Sequence, residues 1–176
     1  GISIIFSSIH FSLFSWRPMT DKVDYHKLRS LNIFRDFDKN EIDAACKHFF
    51  VRNLEKDSVL FSEGMTGELL YIIISGRVEI IKKTKDGRKI ILATMGANEI
   101  VGEMSLIDSA PRTATGKTCE DSVLMVITKN AFNQILDSDP RIAAKILMGL
   151  LKIISKRLRV TTDKKIDEFK FLNNKV

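Results

Sequence analysis

The segment IVGEMSLIDSAPRTAT, residues 100–115, sets Glu103 and Arg112 nine positions apart among mostly small and apolar neighbours, with Asp108 between them. Drawn into an interior, both are costly unless each finds a partner. Their chemistry suits one kind of ligand. A guanidinium is a planar fork of donors matched to phosphate oxygens, and a carboxylate accepts from sugar hydroxyls. Gly102 lets the backbone approach a ligand closely and donate to it. Backbone N–H groups near Met104 and Ser105 add donors of the nest type. Thr113 sets a hydroxyl beside the arginine, within reach of a phosphate or a base edge. Taken alone, such a pair would read as a surface ion pair of little energetic worth.

The elements that must position these residues change character along the chain. Residues 24–50 read as helix, with Asp24 capping one segment and Asp38 a second that carries Ile42, Ala45, Cys46 and Phe49 on one side. Residues 58–127 are short β-branched and aromatic runs punctuated by Gly64, Gly67, Gly76, Gly87, Gly96, Gly102 and Gly116, as in a β-roll or barrel. Residues 69–74 form a nearly continuous apolar run, expected as a buried strand, and Ser75-Gly76 turns it into residues 78–82. Lys85-Asp86-Gly87-Arg88 predicts a type I′ hairpin returning through residues 89–94. A last strand, 122–127, precedes Thr128, which caps a short helix over 130–136. Asp139-Pro140 then opens a long helix. Its apolar residues Leu147, Leu151, Ile154, Leu158, Ile166 and Phe169 extend beyond what a small β domain can cover, and a parallel helix dimer is the natural use.

The segment with Gly102, Glu103, Pro111, Arg112, Thr113 and Ala114 in register resembles the phosphate-binding cassette of the cyclic nucleotide-binding domain family. The resemblance extends over roughly residues 31–173. It implies an α+β fold: an antiparallel β-roll of the double-stranded β-helix or jelly-roll type, flanked by N-terminal helices and a long C-terminal helix. It implies that Leu31, Ile33, Phe34 and Phe37 pack beneath the sheet. It also implies a cyclic nucleotide ligand, cyclic AMP ahead of cyclic GMP, with Arg112 on the cyclic phosphate and Glu103 on the ribose 2′-hydroxyl. Ile80, Leu92 and Val101 would wall the base, Val101 standing where a larger aromatic residue is common. RLRVTTDKK is similar to the dimer helix of the catabolite-activator branch, where two adjacent hydroxyl residues meet the adenine, one within the subunit and one across the dimer. That assigns Thr161 and Thr162 to the base, against the ordinary alternative that both bond back to the preceding helical turn.

Composition narrows the function classes. With 176 residues, 44% hydrophobic and 28% charged, the chain fits one globular domain. The expected organisation is an apolar extension over residues 1–18, a ligand-binding roll with flanking helices over 19–139 and a dimerisation helix over 140–176. Residues 1–18 lack the marks of a signal peptide and are too short for a confident membrane span. Met19 reads as a natural start. Cys46 and Cys119, like His10, His26 and His48, are scattered, so no metal site and reduced cytoplasmic thiols are expected. No nucleophile is paired with a base, and an enzyme is not expected. The net charge of +6 gathers partly between residues 141 and 165. The sequence ends without a DNA-reading element, so nucleic-acid binding is not expected and the output passes to a homodimer or an unknown effector protein. The alternatives are the sensor half of a truncated CRP/FNR-type transcription regulator, a family member that binds no nucleotide, and a nucleic-acid module using the basic helix.

Overall fold

The computed structural model describes residues 17–18, 25–104 and 110–173. The apolar segment before Arg17, Asp24 and Ser105 lie outside them. An N-terminal helical layer opens the fold: α1 (Tyr25–Arg29), a 3₁₀ turn (Asn32–Phe34) and α2 (Lys39–Cys46). Asp38 starts α2 as the sequence predicts. Its carboxylate accepts from the Glu41 amide, and the Glu41 carboxylate accepts from the Asp38 amide, both at 2.9 Å, closing a capping box. Ile42, Ala45, Cys46 and Phe49 are buried. Burial pushes the Cys46 thiol up to about 12, which makes it an inert core residue.

Among the described residues, nine strands build two antiparallel sheets: β1 (Arg17–Pro18), β2 (Phe50–Leu54), β3 (Val59–Phe61), β4 (Leu69–Ser75), β5 (Val78–Lys83), β6 (Lys89–Met95), β7 (Ile100–Val101), β8 (Thr115–Thr118) and β9 (Ser122–Thr128). One sheet has the order β1-β2-β9-β4-β7 and the other β3-β8-β5-β6. The continuous apolar run of β4 reflects burial on both faces. Leu70 and Ile72, with Met125 and Ile127 of β9, face the helices. Tyr71 and Ile73, with Leu124 and Val126, face the interior of the roll alongside Leu60, Val78, Met95 and Val101.

The β5–β6 connection departs from the expected type I′ turn. The Gly87 amide donates to the Thr84 carbonyl at 2.9 Å and the Thr84 amide to the Arg88 carbonyl at 2.8 Å, so the loop has three residues. Gly87 alone takes a positive φ, +85°, as in a type I turn closed by a glycine bulge. Asp86 keeps an ordinary φ because its carboxylate has other work: it accepts from Thr84 Oγ1 and from Arg88 Nε.

Two helices complete the fold, α3 (Lys129–Ser138) and α4 (Pro140–Asn173). Thr128 caps α3 through Oγ1 to the Ala131 amide at 2.9 Å, and Asp139 accepts from the Ile142 amide at 3.2 Å. The inward face of α4 is Ile142, Ala143, Ile146 and Leu150. The stripe singled out from sequence lies on other sides: Leu147 and Ile154 are half-buried, while Leu151, Leu158, Ile166 and Phe169 are exposed. Among the described residues, no helix is long and apolar enough to cross a membrane.

Candidate functional site

Arg112 is fixed from its backbone outward. Its amide donates to the Met65 carbonyl and its carbonyl accepts from the Gly64 amide, each at 2.8 Å, while Pro111 bridges to Thr66. These contacts splice the cassette to the loop after β3. The side chain is 8% exposed. Nη2 donates to the Leu69 carbonyl at 2.6 Å and Nη1 to the Gly102 carbonyl at 3.1 Å. The guanidinium carbon stands 4.3 Å from the centroid of the Phe61 ring, a cation–π shelf. Nε is buried without an acceptor. Burial draws the Arg112 pKa below the ordinary arginine value, with Tyr71 and Glu103 opposing, yet arginine keeps its charge in proteins. The result is a buried cation whose partners among the described residues are carbonyls rather than a carboxylate, with Nε unused.

Gly102 makes this arrangement possible. It has φ +78°, and a Cβ there would collide with Arg112 Nη1 and the Leu69 carbonyl. Glu103 follows at the end of β7 but turns to another cation. Its Oε1 accepts from Arg157 Nη1 at 2.9 Å, and Arg157 Nη2 donates to the Ile100 carbonyl at 2.7 Å. The Glu103 side chain is 14% exposed and that of Arg157 35%, so the pair lies half inside the protein and ties α4 to the cassette. The second glutamate oxygen is not engaged by Arg157, and a carboxylate has lone pairs to spare for a hydroxyl.

A cavity of about 150 Å³ lies between these groups, lined by residues that include Phe61, Ile80, Val101, Glu103, Arg112 and Arg157. A second, of about 570 Å³, opens between β6 and α4 and includes Leu92, Thr94, Asn98, Lys156 and Thr161 in its wall. Met95 and Arg157 line both. Pockets for drug-sized ligands typically enclose about 300–1,000 Å³, so the first cavity by itself is small for such a ligand and the second falls within that range.

The model of the cyclic nucleotide-binding domain matches residues 51–139, just over half of the chain. The chain belongs to the cyclic nucleotide-binding domain family. The CRP-like cAMP-activated global transcriptional regulator of Mycobacterium tuberculosis is 31% identical over 80% of this chain and 61% of its own length. The chain thus spans about three-fifths of that relative. A solved cyclic nucleotide-binding domain from Methylobacillus flagellatus superimposes with a TM-score of 0.74 at 29% identity, covering 81% of this chain and 84% of the other. The catabolite activator protein of Thermus thermophilus gives 0.66 at 27%, covering 80% and 63%.

Of the residues that the family resemblance nominates, Ile80, Val101, Gly102, Glu103, Met104, Arg112 and Thr113 line the first cavity. Leu92 is more than half exposed on the edge strand β6 and borders the second cavity with Thr161. Thr161 and Thr162 donate to the Arg157 and Leu158 carbonyls, each at 2.9 Å, the bond back to the preceding turn that threonines make in helices. Thr162 borders neither cavity. Ser105 falls outside the described residues. Sequence reasoning missed Arg157 and Phe61. Arg157 had a signal: it stands one helical turn before Thr161, inside the stretch already marked. Phe61 had none, because its role arises from a stacking contact with a residue far along the chain.

Proposed function

We propose that this family member is a cyclic nucleotide-binding regulatory module that signals through α4. The observation that carries the reading is the Arg112 guanidinium, buried with a free Nε and no carboxylate partner among the described residues. A singly charged cyclic phosphate supplies the missing anionic acceptor, and buried charge-assisted pairs of this kind contribute most of the specificity of phosphate sites. The ribose hydroxyl goes to the unengaged oxygen of Glu103, and Ile80 and Val101 form part of the apolar wall around the base. The base extends past Met95 into the second cavity, towards Leu92 and Thr161. Buried donors and an acceptor of this kind suit holding such a ligand. Cyclic AMP is the first candidate, because the M. tuberculosis relative is named as cAMP-activated.

The output is a change at α4, whose exposed stripe Leu151, Leu158, Ile166 and Phe169 suits a second copy in a helix-to-helix dimer. In a longer protein the same module would be the sensory part of a transcription regulator. The M. tuberculosis match, which covers most of this chain and three-fifths of that regulator, favours this second reading. Calorimetric titration of cyclic AMP and cyclic GMP into the parent, Arg112→Lys and Arg112→Ala proteins tests the site. Binding by the parent is expected, weakened about 100-fold or more in Arg112→Ala. Arg112→Lys is expected to stay weak, since a point charge cannot replace the fork. Undiminished binding by Arg112→Ala would refute the assignment.

A further inference from the structure

Gly149 is the tenth residue of the 34-residue α4, inside the helix, where a glycine is less favourable than alanine. Its backbone has no positive φ to justify it. The reason is proximity. A methyl group placed on Gly149 would stand 2.7 Å from the Ile33 carbonyl oxygen, 3.1 Å from its Cα and 3.2 Å from its Cγ1. Ile33 cannot easily give way. It sits in the 3₁₀ turn between Leu31 and Phe34, both buried, and that turn is closed by hydrogen bonds from the Phe34 amide to Leu31 at 2.9 Å and from the Phe37 amide to Phe34 at 3.0 Å. Two lysines pin α4 around the contact. Lys145, one turn earlier, donates to Glu41 Oε1 at 2.6 Å and to the Asp36 carbonyl at 3.1 Å, and Lys152, one turn later, pairs with Asp36. Arg157 lies eight residues beyond Gly149, about 12 Å along the axis.

We infer that Gly149 is a positioning residue: its close seat on Ile33 sets the height of α4 above the roll, and so decides whether Arg157 reaches Glu103 and the Ile100 carbonyl. The two bonds are 2.9 and 2.7 Å long, well within ordinary range. A β-carbon at position 149 would stand too close to the Ile33 carbonyl, so helix and turn must part, and Arg157 moves with the helix that carries it. The seat thereby tunes the binding site without touching ligand. The inference rests on the cyclic nucleotide reading for its effect on affinity, but not for its effect on the Arg157–Glu103 pair.

The test is a double-mutant cycle on the full 176-residue chain: parent, Gly149→Ala, Arg157→Gln and the double variant. Alanine restores helix propensity while adding the clash, so the variant is expected to fold. Titration with cyclic AMP should show Arg157→Gln weakening binding about 5–10-fold and Gly149→Ala weakening it several-fold. Gly149→Ala should add nothing once Arg157 is gone. Thermal unfolding of the same four proteins needs no nucleotide, and there the cost of Arg157→Gln should largely vanish in the Gly149→Ala background. Additive effects in both measurements would overturn the seat and reduce Gly149 to local packing. A parent that binds neither cyclic AMP nor cyclic GMP while unfolding remains non-additive would overturn the functional reading and keep the seat.

Discussion

Arg112 spends two of its donors on the carbonyls of Leu69 and Gly102 and leaves Nε without a partner. Its position therefore depends on atoms that carry no negative charge, and above all on the room that Gly102 leaves. Gly102→Ala would introduce both a strained φ and a collision with the guanidinium. It is expected to cost about 1–3 kcal/mol of stability and to weaken cyclic AMP binding at least tenfold, read by chemical unfolding and by titration. Unchanged values in both would show that the cassette can slide clear. The residue types of the cassette were readable in the sequence because Gly, Glu and Arg each have a short list of uses. Their partners were not. Glu103 meets Arg157 across 54 positions, and no local pattern announces which of the many basic residues in α4 will make that contact. Leu92 illustrates a different blindness: on the edge strand β6 Ile90, Ile91 and Leu92 are all about half exposed, so alternation does not say which of them faces a ligand.

At the scale of elements, α4 is held down by acid–base pairs as well as by its apolar face. Lys145 holds the Glu41 carboxyl below the usual glutamate range, helped by the Asp38 amide, and Lys152 does the same for Asp36. A carboxyl whose folded pKa is depressed contributes stability above its unfolded pKa and loses it as pH falls through the folded value. The midpoint of thermal unfolding is therefore expected to hold steady above about pH 5 and to fall below it. Glu41→Gln should flatten that decline, and an equally steep acid slope in this variant would assign it to other carboxyls. Strand and helix order were legible because β4 and β9 are buried on both faces and so show as unbroken apolar runs, and because Asp38, Thr128 and Asp139 cap the helices they precede. The hairpin type was misread because Asp-Gly fits two turn families, and the choice fell to side-chain bonds of Asp86. Of the stripe read on α4, Leu147 packs against the core beside the inward Ile142, Ile146 and Leu150, while Leu151, Leu158, Ile166 and Phe169 are exposed.

For the whole molecule, the exposed residues of α4 predict self-association. Leu158 is 66% exposed and Phe169 68% in the single chain, so Leu158→Glu should change the stability of a monomer by no more than about 0.5 kcal/mol. In a helix-paired dimer it would place a charge in the seam. Sedimentation is expected to show a dimer for the parent at tens of micromolar and a monomer for Leu158→Glu. A parent that stays monomeric would leave the stripe to another partner. Arg157 and Leu158 are sequence neighbours, yet one grips the cassette and the other looks outward from the roll. Rolling α4 about its axis cannot move one without the other, so if two chains pair through this stripe, occupancy of the cavity and pairing form one linked equilibrium with reciprocal effects of equal size. The nucleotide concentration at half-saturation should then drift with the concentration of the protein itself, which makes the abundance of the sensor one of the quantities it reports.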